Sequence, residues 1–157
     1  MGTGIILMGS KTDMEHCKKI GEALKGLGVK AEYRVASAHR TPKKLLEIVG
    51  KANARAAKGE KIVLIAVAGL SNALSGVVAC ASALPVVTCP PSSEDIMSSL
   101  RMPKGVAHDT VLGAENAALM AAKIIGLSEP AVAKKVSAAL AGYAKKVEEA
   151  DVGARNA

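Results

Sequence analysis

Two short runs, Gly4-Ile5-Ile6-Leu7-Met8 and Ile62 to Ala68, contain no polar side chain. A strand with one face in water alternates apolar and polar residues, so an unbroken apolar run of this length belongs to a strand covered on both faces. That is the mark of a central strand in a parallel sheet. Both runs stop at small polar turns, Gly9-Ser10-Lys11-Thr12-Asp13 and Gly69-Leu70-Ser71-Asn72. After the first turn Met14, Cys17, Ile20, Leu24 and Leu27 recur at helical spacing, and Gly28 ends the pattern. Ala31, Tyr33 and Val35 then alternate with polar residues, which predicts a strand nearer the sheet edge. Leu45, Leu46, Val49 and Ala56 mark the next helix, ending near Lys58-Gly59.

The second half repeats the alternation with smaller residues. A helix is expected over Asn72–Ala83, a fourth strand over Pro85-Val86-Val87-Thr88-Cys89, and a short helix from Ser93 to Leu100. Pro103 keeps the loop Arg101–Gly105 from remaining helical. A short fifth strand is predicted at Thr110-Val111-Leu112 and an Ala-rich helix from Glu115 to Ile125. Val132, Val136, Leu140, Tyr143 and Val147 form the stripe of a C-terminal helix over 130–149, with 151–157 expected as a frayed tail. Strands alternating with helices predict one α/β domain over 1–157, a doubly wound parallel sheet of about five strands, flavodoxin-like, for which 2-1-3-4-5 is a common order. Right-handed crossovers would then gather the turns after strands one, two and three at one edge.

Composition narrows the partners. Half of the residues are hydrophobic, yet Tyr33 and Tyr143 are the only aromatics, so the core is built from Ala, Val, Ile, Leu and Met. Each such side chain buries little area, and burial between copies adds to it, which favours a homo-oligomer. A net charge of +7 favours anionic ligands. The lysines and arginines are scattered and no aromatics are available for base stacking, so no nucleic-acid partner is expected. Cys17, Cys80 and Cys89 form no C-x-x-C pair, which argues against a disulfide framework or a metal site and for a reducing compartment. No apolar segment is long enough to predict a membrane span, and no signal peptide precedes the first strand. A cytoplasmic location is the expectation.

The chemistry concentrates at Ala36-Ser37-Ala38-His39-Arg40-Thr41-Pro42, between the second strand and its helix. Thr41 and Pro42 suit the N-cap and first position of that helix. Arg40 can hold a phosphate or carboxylate with paired donors, and His39 can carry a proton in a neutral cell. The Ser10 turn presents backbone N–H groups at a helix start, which suits a phosphate, although it is neither a dinucleotide fingerprint nor a Walker loop. Asp13 reads equally as helix N-cap or as acceptor for a ligand hydroxyl. Ser, His and Arg are ordinary loop residues; their meeting with the Ser10 and Ser71 turns is what favours a site.

Read together, Met8–Asp13, Ser37–Pro42, Ala68-Gly69, Ser99–Gly105 and Glu115–Ala122 resemble the aminoimidazole ribonucleotide carboxylase and mutase family of purine biosynthesis. The resemblance covers nearly the whole chain. The mutase branch moves a carboxylate from N5 of its substrate to C4 of the imidazole, and its third turn reads A-G-G-A-A-H-L-P-G. Here Ala73 stands in place of that histidine and Ser75 in place of the proline. Ser71–Gly76 and Cys89-Pro90-Pro91 are instead similar to the branch that adds carbon dioxide directly to C4. That branch usually carries Lys where this chain has Arg40 and Arg where it has Leu70.

The resemblance implies roles. Ser10, Ser37 and Arg40, with Lys11 a weaker candidate, would bind the ribonucleotide phosphate, and Asp13 would accept from the ribose hydroxyls. Gly69 would let the backbone approach the ring. Ser71 and Asn72 would meet the imidazole or the incoming carboxylate, and His39 would be the catalytic proton carrier. It implies no metal and no organic cofactor, a small ribonucleotide and carbon dioxide as partners, and an octamer, with a tetramer second. The other readings are the mutase, a non-catalytic flavodoxin-like mononucleotide module, and a receiver-like domain, for which the acidic strand-end cluster is missing.

Overall fold

In the computed structural model, which describes residues 1–155, the chain alternates strand and helix. Its elements are β1 (Thr3–Met8), α1 (Met14–Gly26), β2 (Lys30–Val35), α2 (Pro42–Ala57), β3 (Ile62–Val67) and α3 (Leu74–Cys80). They are followed by β4 (Val86–Thr88), α4 (Met97–Leu100), β5 (Asp109–Thr110), α5 (Ala114–Gly126) and α6 (Pro130–Arg155). The five strands are parallel in the order β2-β1-β3-β4-β5, with β1 and β3 paired in register along their whole length. The expected doubly wound sheet is thus present.

The apolar runs are explained by the two faces. Ile6, Met8, Val63, Ile65 and Val67 point to α1, α5 and the start of α6, among Cys17, Ile20, Leu24 and Ala118. Ile5, Leu7, Ile62, Leu64 and Ala66 point to α2 and α3, among Leu45, Ile48, Val49 and Val78. Because successive side chains of a strand leave opposite faces, a strand inside both layers has no position left for a polar residue. At the edge, Tyr33 of β2 lies across α1, and a Cβ at Gly21 would run into its hydroxyl. Gly28, at φ 80, ends α1 where its backbone turns left-handed.

Four elements differ from the sequence pattern. The helix expected over Asn72–Ala83 is only Leu74–Cys80. Asn72 Oδ1 accepts the Ser75 N–H at its start, and beyond its end Ser82 Oγ accepts the Leu84 N–H and holds a turn. The helix expected from Ser93 contracts to the single turn Met97–Leu100. Its would-be first turn is held instead by Ser98 Oγ donating to the Asp95 carbonyl at 2.8 Å. The fifth strand is Asp109–Thr110, starting one residue earlier than the pattern and pairing Asp109 with Val87 and Thr110 with Thr88, while the Val111 N–H still donates to the Thr88 carbonyl at 2.9 Å. Finally, the helix expected to end at 149 runs on through Arg155, with an Arg155–Asp151 ion pair one turn apart, where a frayed tail was expected. Residues 156–157 of that expectation lie outside the described residues. Only Val132 and Val136 of α6 are buried, while Leu140, Tyr143 and Val147 are exposed. Among the described residues no helix is long and apolar enough to cross a membrane.

Candidate active site

A cleft of about 390 Å³ opens across the carboxyl ends of β1, β2 and β3, walled by the three turns that follow these strands. Ser10, Asp13, Ser37, His39, Arg40, Gly69 and Ser71 all line it. Strands one and two are neighbours, as are one and three, so the sheet order itself brings these turns together.

The first turn is a single 3₁₀ turn, Lys11–Asp13, ahead of α1. Ser10 Oγ accepts the Thr12 N–H at 3.3 Å, and Asp13 Oδ2 accepts the Ser10 N–H at 3.2 Å. Asp13 therefore does not cap α1 with its side chain; it closes the turn before it. Its Oδ1 has no partner among the described residues and remains available to a donor in the cleft. Partial burial raises the Asp13 pKa, against the opposing pull of the Ser10 N–H and the nearby His16. Lys11 is exposed and does not line the cleft.

The second turn is tied to itself. The Ser37 N–H donates to Thr41 Oγ1 at 2.9 Å, Thr41 Oγ1 donates to the Ser37 carbonyl at 3.3 Å, and the Arg40 N–H donates to Ser37 Oγ at 3.2 Å. Thr41 holds the N-cap position with Pro42 after it, but its hydroxyl turns back to Ser37 and makes no cap bond to α2. A loop closed by its own backbone and the short hydroxyls of Ser37 and Thr41 needs nothing from its longer side chains. The His39 ring and the Arg40 guanidinium, both exposed, have no hydrogen bond or ion pair among the described residues.

Asn72, expected to meet the ligand, is 4 % exposed and does not line the cleft. Its amide donates to Ser99 Oγ at 2.9 Å and to Thr88 Oγ1 at 3.2 Å, while its oxygen takes the Ser75 N–H. A buried amide with those partners is a structural strut, and leaving any of them unpaired would be costly. Ser71 does line the cleft, with a φ of 45°. Its N–H donates to Asp95 Oδ2 at 2.7 Å, an interaction with no local signal because the residues are 24 apart in the chain. Leu70, 78 % exposed, sits at the rim, and Ala38, Ala73 and Leu74 supply apolar wall.

Behind the first turn, His16 Nε2 lies 3.2 Å from Cys89 Sγ at the end of β4. Burial pushes the Cys89 thiol up to about 12, with Glu115 adding to the effect, and burial also lowers the His16 pKa. Cys89 therefore stays a thiol at neutral pH, a packed and hydrogen-bonded group and not a nucleophile. Among the described residues no three His, Cys, Asp or Glu side chains gather to hold a metal ion.

A parallel 2-1-3-4-5 sheet with a polar cleft over its carboxyl edge defines a flavodoxin-like α/β protein, built to take a small ligand at the strand ends. Residues 4–146 match the family described as AIR carboxylase, and the chain belongs to that family. It is an enzyme of a family that acts in purine biosynthesis. It is 47 % identical over 137 residues to the phosphoribosylaminoimidazole carboxylase of Archaeoglobus fulgidus, covering 84 % of this chain and 73 % of that protein. It is 40 % identical over 152 residues to the Treponema denticola protein of the same name, covering 94 % of each. The crystal structure of Treponema denticola PurE superposes with a TM-score of 0.92 at 37 % identity over 98 % of both chains. The chain also matches the human bifunctional carboxylase and succinocarboxamide synthetase at 39 % identity, but spans 35 % of that protein's length.

Proposed function

We propose that this enzyme adds carbon dioxide to C4 of 5-aminoimidazole ribonucleotide, giving 4-carboxy-5-aminoimidazole ribonucleotide, in the cleft between the three turns. The observation that carries the reading is the free bonding capacity of groups that converge there: the Arg40 guanidinium, the His39 ring and Asp13 Oδ1. Arg40 with the hydroxyls of Ser10 and Ser37 holds the phosphate, and Asp13 Oδ1 accepts from a ribose hydroxyl. Those contacts anchor the nucleotide and place the imidazole toward Gly69 and Ser71. Asn72 has no part in binding, since its side chain is occupied in the interior.

The 5-amino group makes C4 of the ring electron-rich. C4 attacks the carbon of carbon dioxide, a C–C bond forms, and one C=O π pair moves onto its oxygen as a third lone pair, giving the new carboxylate. C4 then carries both that carboxylate and its original hydrogen. His39 takes the proton, the C–H pair returns to the ring, and aromaticity is restored. The net change is loss of one proton for each carbon dioxide fixed. The protein supplies orientation, a partly apolar wall of Ala38, Ala73 and Leu74 beside the gas, and a proton acceptor.

Ala73 favours direct carboxylation over the mutase reaction. The mutase pattern places an imidazole at this position, whereas here a methyl group lines the cleft. Purified protein given aminoimidazole ribonucleotide and dissolved carbon dioxide should form the C4-carboxylated product, detected chromatographically, and should handle the N5-carboxylated compound poorly. The reverse preference would replace this reading by the mutase, and inactivity with both would leave the nucleotide-binding module. We further propose a homo-octamer, with a tetramer second. The exposed apolar residues Leu140, Tyr143 and Val147 on α6 support association, and light scattering of a monomer at micromolar concentration would overturn it. Three free thiols accord with the cytoplasm as its place of action.

A further inference from the structure

Ser71 is the one non-glycine residue with positive φ among the described residues, and it stands in the wall of the cleft. A side-chain-bearing residue held there is strained, and such strain persists only where neighbours over-determine it. The neighbours come from a distant part of the chain. Asp95 Oδ2 takes the Ser71 N–H at 2.7 Å, and Ser98 Oγ takes the next N–H, of Asn72, at 2.9 Å. Ser98 Oγ in turn donates to the Asp95 carbonyl at 2.8 Å, and Ser99 Oγ receives the Asn72 amide at 2.9 Å. Pro91, on the same segment, flanks Gly69 closely enough that a Cβ there would touch its ring at 3.7 Å. The segment Pro91–Ser99 thus backs the third turn along its length without lining the cleft itself.

Of these contacts the Asp95 carboxylate is distinctive. It is charged, it bonds the strained residue itself, and its bond is among the shortest to any backbone N–H at the site. A charge-assisted bond of this kind is about twice as strong as a neutral one. The Ser71 N–H is taken by Asp95, so the group that Ser71 has left for a ligand is its hydroxyl.

We propose that Asp95 is a positioning residue for the carboxylation: by holding the Ser71 N–H it keeps Ser71 left-handed and its side chain in the wall facing the imidazole. This inference rests on the carboxylase reading above. Without the carboxylate, Ser71 relaxes to negative φ and the wall beside the reacting carbon changes shape. The phosphate and ribose contacts, on the other two turns, stay as they are. The signature of Asp95 is therefore a fall in kcat with little change in KM.

Steady-state kinetics of Asp95→Ala and Asp95→Asn, with hydrogen exchange at the Ser71 amide, test this. Asp95→Ala should lower kcat about tenfold or more, the scale of a lost bond to a charged group. Asn retains an acceptor oxygen, so Asp95→Asn should stay within about threefold of wild type, as a weaker neutral bond allows. Exchange at Ser71 should quicken in the Ala variant and less in the Asn variant. Glycine adopts positive φ freely. Asp95→Ala should therefore lower the melting temperature less in a Ser71→Gly background than alone, a coupling readable even if the single variant is too unstable to assay. An unchanged kcat in Asp95→Ala, an Asn variant as impaired as Ala, unaltered Ser71 exchange, or equal melting shifts in the two backgrounds would each overturn the role of Asp95. Wild-type protein inert toward aminoimidazole ribonucleotide would instead remove the carboxylase reading.

Discussion

The two ends of the sheet treat their charged residues in opposite ways. At the amino end, Arg55 of α2 makes a forked pair to Glu60 at 2.8 and 2.7 Å and a third bond to Glu32 of β2 at 2.7 Å. Thr3, opening β1, donates to the same Glu60 at 2.8 Å. Each guanidinium nitrogen of Arg55 is bonded, and the network joins α2 to β1, β2 and the approach to β3. At the carboxyl end Arg40 and His39 have no partner among the described residues, and the backbone is strained at Ser71. A guanidinium in a closed network serves the fold, whereas one held up by a self-tied loop is available to an anion. Both are arginines in an α/β protein, and neighbouring residues alone separate their uses.

If that contrast holds, changes at the two ends should separate cleanly between activity and stability. The largest effect is expected from His39→Asn, which keeps a polar side chain but cannot accept the C4 proton. Turnover should fall about 10²–10⁴-fold, the usual worth of a placed proton carrier, while titration calorimetry should still detect substrate binding. Undiminished turnover would take His39 out of the mechanism. Next comes Arg40→Ala, expected to weaken ribonucleotide affinity by roughly 1.5–3 kcal/mol, the range for a hydrogen bond to a charged group. Arg40→Lys keeps the charge and should lose less; equal affinity of wild type and the Ala variant would refute the phosphate role.

At the other end Arg55→Ala should leave kcat and KM unchanged. It should lower unfolding free energy in urea by about 1 kcal/mol, since the network is partly solvent-exposed and screened. A loss of activity without a loss of stability would erase the distinction between the two ends. The smallest expected effect is one of pH. The Arg55 and Thr3 hydrogen bonds lower the Glu60 pKa from 4.5 to about 2. A carboxylate depressed in the folded state adds stability above its unfolded pKa, and that contribution fades as pH falls from about 4.5 toward 2. Glu60→Gln should flatten this part of the stability profile, and an identical profile would show that Glu60 is not held as its neighbours imply.

The contrast also separates what could be read from the chain from what could not. Ser10, Asp13, Ser37, His39, Arg40, Gly69 and Ser71 were legible as residues of one cleft because each sits in a turn directly after a strand, and the order common to such sheets makes those strands neighbours. Asn72 was misleading for the same reason. A polar residue in a turn looks available, and only Thr88 and Ser99, from elements far along the chain, draw its amide into the interior. Asp95 was invisible: an aspartate in a Ser-rich loop resembles many others until folding sets it against the Ser71 N–H.

The sequence by itself determined the layering of the sheet and which strands lie at its centre. Apolar runs that lack polar positions can lie only between two helical layers, and turn residues mark where each run stops. The tertiary structure decided which polar groups are left free. The 3₁₀ turn gave Asp13 one bonded and one open oxygen, the 95–99 segment claimed the backbone of Ser71 and Asn72, and α6 continued past Asp151. The physical reason is range: hydrophobic periodicity is written within one element. The pairing of a hydrogen-bonding group depends on whichever distant residue the fold brings within about 3 Å.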